Sequence, residues 1–185
     1  MALVTMLLVG VGAMWRDIHS ATGLKKFAEQ FATDKMSMHA YEELYWREIS
    51  RIVTRLKHAP RILEIGLGCY MPLGAGGSAE MWRALFPSAA IHVFEFQVKC
   101  GDEWEYSHPD TVVLHYGDQS NKADLLGAVE GELPFDLIID DGSHMSAHQH
   151  ISLTTLWSKL APGGTYIVED VHSSCQSWPV PGRSC

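Results

Sequence analysis

Short apolar runs alternate with segments of helical character through most of this chain, and this alternation restricts its fold more than any other feature. Five runs have the length and composition of buried strands; they cover residues 61–65, 91–96, 111–115, 135–139 and 165–168. Four intervening or flanking segments are predicted helices: 39–57, the stretch capped by Ser78 and ended by Pro87, 121–129 and 147–160. Strands that alternate with helices predict an α/β fold with a doubly wound, mostly parallel sheet between two helical layers.

Chemistry-bearing residues follow these predicted strands. Ligands of open α/β sheets bind beyond the carboxyl ends of the strands, so function is expected there. Gly66 and Gly68 follow the first run, Glu95 closes the second, and Gly117-Asp118 follows the third. Glycines without a β-carbon let a backbone turn sharply and approach a ligand closely.

The glycine loop is not a good dinucleotide site. Such a site usually has a third glycine three residues after the second, where this chain has Met71. A sulfonium nucleoside has no pyrophosphate and makes other demands. The Glu64 carboxylate is expected to face the positively charged sulfonium and amino end of the donor. Glu95 is expected to bind the ribose diol, and Asp118 is expected to accept from the adenine amino group. These residues, with Gly66 and Gly68, predict a site for S-adenosylmethionine.

Two acidic pairs, Asp140-Asp141 and Glu169-Asp170, end neighbouring predicted strands. Strands of a sheet lie about 4.8 Å apart, so these carboxylates can converge, and like charges that converge require a cation. Oxygen ligands favour Mg²⁺, with Mn²⁺ as the other candidate. We predict Asp141, Glu169 and Asp170 as the metal ligands, with Asp140 on the side of the methyl donor.

His144 follows the first acidic pair and is the predicted general base for an acceptor hydroxyl. The alternative is that it only precedes the helix that begins near residue 147. His148 and His150 are interpreted as helix surface, and His172 is a second histidine near the site.

The sequence resembles class I S-adenosylmethionine-dependent methyltransferases, which have a Rossmann-like fold. More narrowly it resembles the metal-dependent macrolide sugar O-methyltransferases and the cephalosporin hydroxylase-like group. The resemblance spans about residues 31–175. The segments that carry it are Leu63-Glu64-Ile65-Gly66-Leu67-Gly68, the run from Phe135 to His144, Thr33-Asp34-Lys35 with His39 and Tyr41, and the run from Pro162 to Asp170. It implies a Mg²⁺-dependent transfer of a methyl group to a hydroxyl of a small molecule such as a sugar.

Composition limits the partners and domains. The 185 residues suffice for one domain, and a formal net charge of −8 disfavours nucleic-acid binding. Residues 1–30 are interpreted as an apolar segment and linker, residues 31–175 as the methyltransferase-like domain and residues 176–185 as a polar tail. The apolar start is too short for a typical membrane span and leaves a packed helix, a signal peptide or an anchor open. A cytoplasmic location, a small-molecule acceptor and a homo-oligomer are expected.

The four cysteines form no C-x-x-C pair, so neither a zinc site nor a thioredoxin-type site is expected, and a domain of this size needs no disulfide. The last two strands of the family's sheet are not recognisable after residue 168. Two alternatives to an active methyltransferase therefore stay open. One is a truncated, non-catalytic binding protein, and the other is a nicotinamide-dependent or hydroxylase-like enzyme on the same scaffold.

Overall fold

The computed structural model describes residues 15–173. Most of the predicted N-terminal apolar segment and the whole predicted tail at 176–185 lie outside this range. Within it, no helix is both long enough and apolar enough to cross a membrane.

The described residues form one five-stranded parallel sheet in the order β3-β2-β1-β4-β5. The strands are β1 (Arg61–Ile65), β2 (Ala90–Glu95), β3 (Val113–Tyr116), β4 (Phe135–Asp140) and β5 (Leu160–Val168). All five predicted strands are present, and the parallel sheet with its flanking helices confirms the Rossmann-like α/β fold.

Six α-helices within residues 15–173 flank the sheet. They are α1 (Ala21–Ala28), α2 (Glu42–Arg55), α3 (Gly77–Leu85), α4 (Val98–Ser107), α5 (Lys122–Ala128) and α6 (Ser146–Leu156), with 3-10 turns at Trp15–Asp17 and Trp157–Lys159. Two of them, α1 and α4, were not predicted. The helix expected to start at Ser78 starts at Gly77, and the Ser78 hydroxyl donates to Glu64 Oε1 (2.8 Å) instead of capping the helix.

The two faces of the sheet pack against different helices. Ile62, Val93 and Ile139 belong to one buried cluster with side chains of α1, α2 and α3. Leu63 and Ile138, one residue away along the same strands, belong to a second cluster with side chains of α5 and α6. Successive side chains of a strand point to opposite faces, so this division follows from the pleat. It also decides where each acidic strand end points.

The chain changes direction across the sheet at β1. From β1 it runs outward through β2 to β3, then returns and runs outward through β4 to β5. A crevice for ligands opens at such a switch point. Here it lies between the ends of β1 and β4, where Asp141 N–H donates to Ile65 O (3.0 Å). Gly66 has φ +99°, and a β-carbon there would overlap the Asp141 backbone carbonyl. Glycine is therefore required where the two strand ends meet.

The N-terminal part of the described chain is not a linker. Trp15, Ile18, Leu24 and Phe27 are buried in the same cluster as the α2 and α3 side chains. Described residues before position 30 thus pack with residues after it, and the division predicted at residue 30 stays a prediction.

A disulfide joins Cys69, in the loop after β1, to Cys100 in α4, with 6.1 Å between the Cα atoms. The sequence analysis judged a disulfide unneeded for a domain of this size and paired no cysteines. The spacing of 31 residues carried no signal for the pairing, because the helix that presents Cys100 was not predicted.

Candidate functional site

A cavity of about 490 Å³ opens at the carboxyl edge of the sheet, beside the switch point. This volume is within the range of small-molecule sites. The cavity is lined by the glycine loop, by the ends of β2 and β4, and by residues that precede α2. Among the predicted site residues, the lining includes Gly66, Gly68, Glu95, Asp118, Asp141, His144 and Asp170.

Glu95 is held at the end of β2 by two backbone groups. Leu67 N–H donates to its Oε2 (2.8 Å) and Gln97 N–H donates to its Oε1 (2.6 Å). The side chain is buried, yet it lines the cavity. Each carboxylate oxygen has a further lone pair for a hydroxyl donor. A fixed carboxylate of this kind suits a vicinal diol such as that of a ribose.

Asp118 follows β3 and lines the cavity. The hydroxyl and the backbone N–H of Ser120 bond to this carboxylate and lower its pKa below the usual value. It therefore presents a charged acceptor to the cavity at neutral pH, as the adenine side of the predicted donor site requires.

Three side chains converge on the β4 and β5 side of the cavity. One ligand atom from each of Asp141, His144 and Asp170 can be chosen so that all three lie within 4.8 Å of one another. His144 (φ +56°) and Asp170 (φ +50°) both adopt the left-handed backbone region, which is uncommon outside glycine. Such strain is tolerated where surrounding contacts fix it, and it often marks functional sites.

The segment before α2 fixes Asp170. Tyr41 Oη donates to Asp170 Oδ1 (2.7 Å), and His39 Nδ1 lies 3.2 Å from the same oxygen. The rings of His39 and Tyr41 stack on each other. The Asp170 carboxylate is thereby aimed at the cavity, and the chain N-terminal to the sheet contributes to the site.

Comparison with known proteins places the chain. No family model matches it. The 8-demethyl-8-alpha-L-rhamnosyl tetracenomycin-C 2'-O-methyltransferase of Streptomyces olivaceus is 34% identical over 166 residues, which are 88% of this chain and 41% of that protein. The corresponding 3'-O-methyltransferase of S. olivaceus, which acts on the 2-methoxy-rhamnosyl compound, is 36% identical over 152 residues, or 80% and 36% of the two chains.

A solved structure agrees. The MycE methyltransferase of the mycinamycin pathway, in complex with Mg, SAH and mycinamycin VI, superposes with a TM-score of 0.66 at 31% identity over 81% of this chain. The chain is homologous to part of each of these methyltransferases. It spans 37% of the MycE chain and a similar share of the curated relatives. The resemblance to sugar O-methyltransferases is confirmed, and the nicotinamide alternative is not favoured.

A buried ammonium lies behind the converging groups of this methyltransferase homologue. Lys35, 1% exposed, places its Nζ 2.6 Å from Asp141 Oδ2, 3.0 Å from Glu64 Oε1 and 3.0 Å from Glu169 Oε1. Tyr45 Oη also donates to Glu169 Oε1. Burial alone would lower the pKa of Lys35, but the three carboxylates outweigh it and raise the pKa well above its usual value. Burial raises the pKa of Glu169 to about 7, although Lys35 acts in the opposite direction.

Three predicted site residues are not in the cavity lining. Glu64 faces α3, where Trp82 Nε1 donates to its Oε2 (2.8 Å), and Glu169 faces Lys35 and Tyr45. Asp140 points to the opposite face, where it accepts from Gln119 Nε2 (2.7 Å) and from Ser152 Oγ. In this structure, therefore, Glu64 and Asp140 do not face the cavity in which the methyl donor is predicted to bind. The group that converges in the described residues is Asp141, His144 and Asp170, and Glu169 as a metal ligand stays a prediction.

Several residues of the site carried no assigned role in the sequence analysis. Lys35, His39 and Tyr41 were noted only as part of the resemblance. Gln119 was not noted; it bonds Asp140 through Nε2 and accepts from Ser143 N–H (3.0 Å) through Oε1, which holds the loop between Asp141 and His144. The sequence feature that could have identified Lys35 as a site residue is its position beside Asp34 in an otherwise uncharged stretch.

Proposed function

We propose that the chain supplies the donor and metal part of an S-adenosylmethionine-dependent O-methyltransferase that acts on a sugar hydroxyl of a small-molecule glycoside. The observation that carries this proposal is the convergence of Asp141, His144 and Asp170 in one cavity with the glycine loop and with Glu95, whose carboxylate accepts from Leu67 N–H of that loop. The relatives support it through their names, which describe methyl transfer to rhamnosyl hydroxyls.

The converging groups fit a divalent cation. Asp141 and Asp170 offer carboxylate oxygens, which Mg²⁺ and Mn²⁺ prefer, and both line the cavity. Two carboxylates held so close together favour a counter-charge. A bound cation lowers the pKa of a coordinated hydroxyl and fixes a neighbouring oxygen of the acceptor.

The chain's own residues do the positioning. In methyl transfer the acceptor oxygen bonds to the methyl carbon as the carbon–sulfur bond breaks, so oxygen, carbon and sulfur must be aligned. Glu95 and the glycine loop fix the donor on one side of the cavity, while Asp141 and Asp170 fix the acceptor on the other. The switch point between β1 and β4 brings the two sides together.

His144 is the group proposed to accept the hydroxyl proton. It lines the cavity, and its Nε2 lies 4.0 Å from Asp170 Oδ2. It is one of the three groups that could ligate the metal, but an all-oxygen preference for Mg²⁺ leaves the imidazole to act as base. The homo-oligomer and the cytoplasmic location favoured by the sequence stay predictions.

Isothermal titration calorimetry with S-adenosylmethionine, with and without Mg²⁺, tests the proposal together with a methyl-transfer assay on a rhamnosylated polyketide. We expect donor binding and metal-dependent methylation of a vicinal hydroxyl. Donor binding without turnover would instead support the non-catalytic binding protein. Failure to bind the donor at all would overturn the proposal.

A further inference from the structure

Lys35 borders the cavity, but its ammonium is engaged by carboxylates of the protein itself. Its Nζ is within 3.0 Å of carboxylates from three different strands: Glu64 in β1, Asp141 after β4 and Glu169 after β5. An ammonium has three N–H donors and no acceptor. Its three protons are thus matched by three carboxylate oxygens, one from each strand.

The turn that carries Lys35 is tightly built. Asp34 O accepts from the backbone N–H groups of Ser37, Met38 and His39, and Met36 is fully buried. The start of α3 presses on the same turn, since a β-carbon at Gly77 would overlap the Ala32 carbonyl. The Lys35 side chain is therefore delivered to the strand ends by a fixed backbone.

Lys35 bonds one oxygen of Asp141 from the buried side. Asp141 Oδ2 is the partner at 2.6 Å, while the side chain keeps 23% exposure and lines the cavity. An Asp side chain with one oxygen held in this way has its other oxygen, Oδ1, available to a ligand in the cavity. Outer groups that orient a metal ligand typically change metal affinity by about 10–100-fold.

We propose that Lys35 is a positioning residue that fixes the Asp141 carboxylate for a divalent cation. This inference rests on the metal site of the proposed function. It assigns a role to Lys35 of the Thr33-Asp34-Lys35 segment, which the proposed function leaves without one. It also explains why a long basic side chain is buried among carboxylates. The substitution Lys35→Met tests this role by removing the ammonium while keeping the side-chain length, because methionine matches the length of the lysine stem.

A purely structural role must be separated from positioning. Replacing a buried ion pair with apolar groups is often neutral or stabilising, whereas removing one partner leaves a buried charge uncompensated. Lys35→Met alone therefore mixes lost orientation with an added net negative charge. The double variant Lys35→Met/Glu64→Gln removes one cation and one anion, so the formal charge of the cluster equals that of the wild type.

The test measures Mn²⁺ binding to the purified chain through the electron paramagnetic resonance signal of free Mn²⁺. Thermal unfolding of each variant is measured in parallel. We expect the double variant to unfold near the wild-type temperature yet to bind Mn²⁺ at least about tenfold more weakly. Lys26→Met, an exposed lysine on α1, serves as the matched control and should bind like the wild type.

The outcomes are distinct. Wild-type Mn²⁺ affinity in the double variant would overturn the positioning role while leaving the metal site intact. A wild-type chain that binds no Mn²⁺ would overturn the metal site and this role with it, whereas donor binding would survive. If Lys35→Met does not fold, the double variant still gives the comparison at equal charge, and Glu64→Gln alone reports the effect of that substitution.

Discussion

One step along a strand separates acidic residues that face the cavity from those that do not. Asp140 is fully buried against α6, whereas Asp141 lines the cavity, and Glu169 faces Lys35 while Asp170 lines the cavity. The sequence located both acidic pairs at the correct edge because parallel strands end at one side of a sheet. Which member of each pair faces the cavity depends on the pleat and on which helix packs against each face of the sheet, and neither can be read from the acidic pairs themselves.

The role of His144 gives a prediction at this scale. His144→Asn should reduce methyl transfer by about 10²–10⁴-fold, because a general base contributes this much, while donor affinity stays unchanged. Asparagine tolerates the left-handed backbone at this position, so the fold should be preserved. Single-turnover kinetics and donor calorimetry measure the two quantities.

His150→Asn is the matched control, since His150 is an exposed residue of α6 and should leave turnover at the wild-type rate. Retained turnover in His144→Asn would remove this imidazole from proton transfer.

At the scale of elements, strands were easier to predict than helices. Each strand contains a short apolar run, but α4 buries only Gly101 and Trp104 and so lacks a helical apolar stripe. β5 begins at Leu160 and not at 165, because a strand at the edge of a sheet tolerates the Pro162-Gly163-Gly164 run. The disulfide between Cys69 and Cys100 was not predicted, because the periodicity of apolar residues does not indicate which cysteines pair.

The disulfide should stabilise the domain through the loop it closes. Its 31-residue separation corresponds to about 4 kcal/mol of lost unfolded-state entropy. Cys100→Ser should lower the free energy of unfolding by roughly this amount in urea titrations, and dithiothreitol should lower that of the wild type similarly. A variant that loses further stability on addition of dithiothreitol would contradict this assignment.

A histidine pair between β2 and β3 makes stability depend on pH. His92 Nδ1 lies 2.9 Å from His115 Nε2, with the rings stacked, so at least one ring must be neutral to accept. Burial lowers the pKa of both histidines, and for His115 the neighbouring His92 adds to this. The unfolded chain therefore binds more protons below about pH 6.5 than the folded chain does.

Since protons favour the unfolded chain in this window, the free energy of unfolding should fall as the pH drops below about 6.5. Denaturant titrations at several pH values measure the slope. His115→Gln should flatten it, whereas the exposed control His150→Gln should keep it. An equal slope in His115→Gln and the wild type would mean that another group causes the pH dependence.

The whole molecule is organised around the switch point of its sheet. Chain segments from before α2, after β1, after β2 and after β4 and β5 meet at one cavity, although they are as far apart in sequence as Lys35 and Glu169. The doubly wound parallel sheet and the location of the cavity at the carboxyl ends of its strands were predicted from the sequence. The contribution of residues 33–41 to the cavity was not predicted, because a periodic pattern does not indicate which loop folds over the edge of a sheet.

The central claim is that this cavity holds a donor site and a cation site side by side, each with its own residues. Calorimetry on Asp141→Asn tests it most directly, with Asp110→Asn, an exposed aspartate in the turn before β3, as control. We predict that Asp141→Asn loses Mn²⁺ binding while its affinity for S-adenosylmethionine stays within about threefold, well under the tenfold that 1.4 kcal/mol represents. Unchanged Mn²⁺ binding in Asp141→Asn would contradict the account.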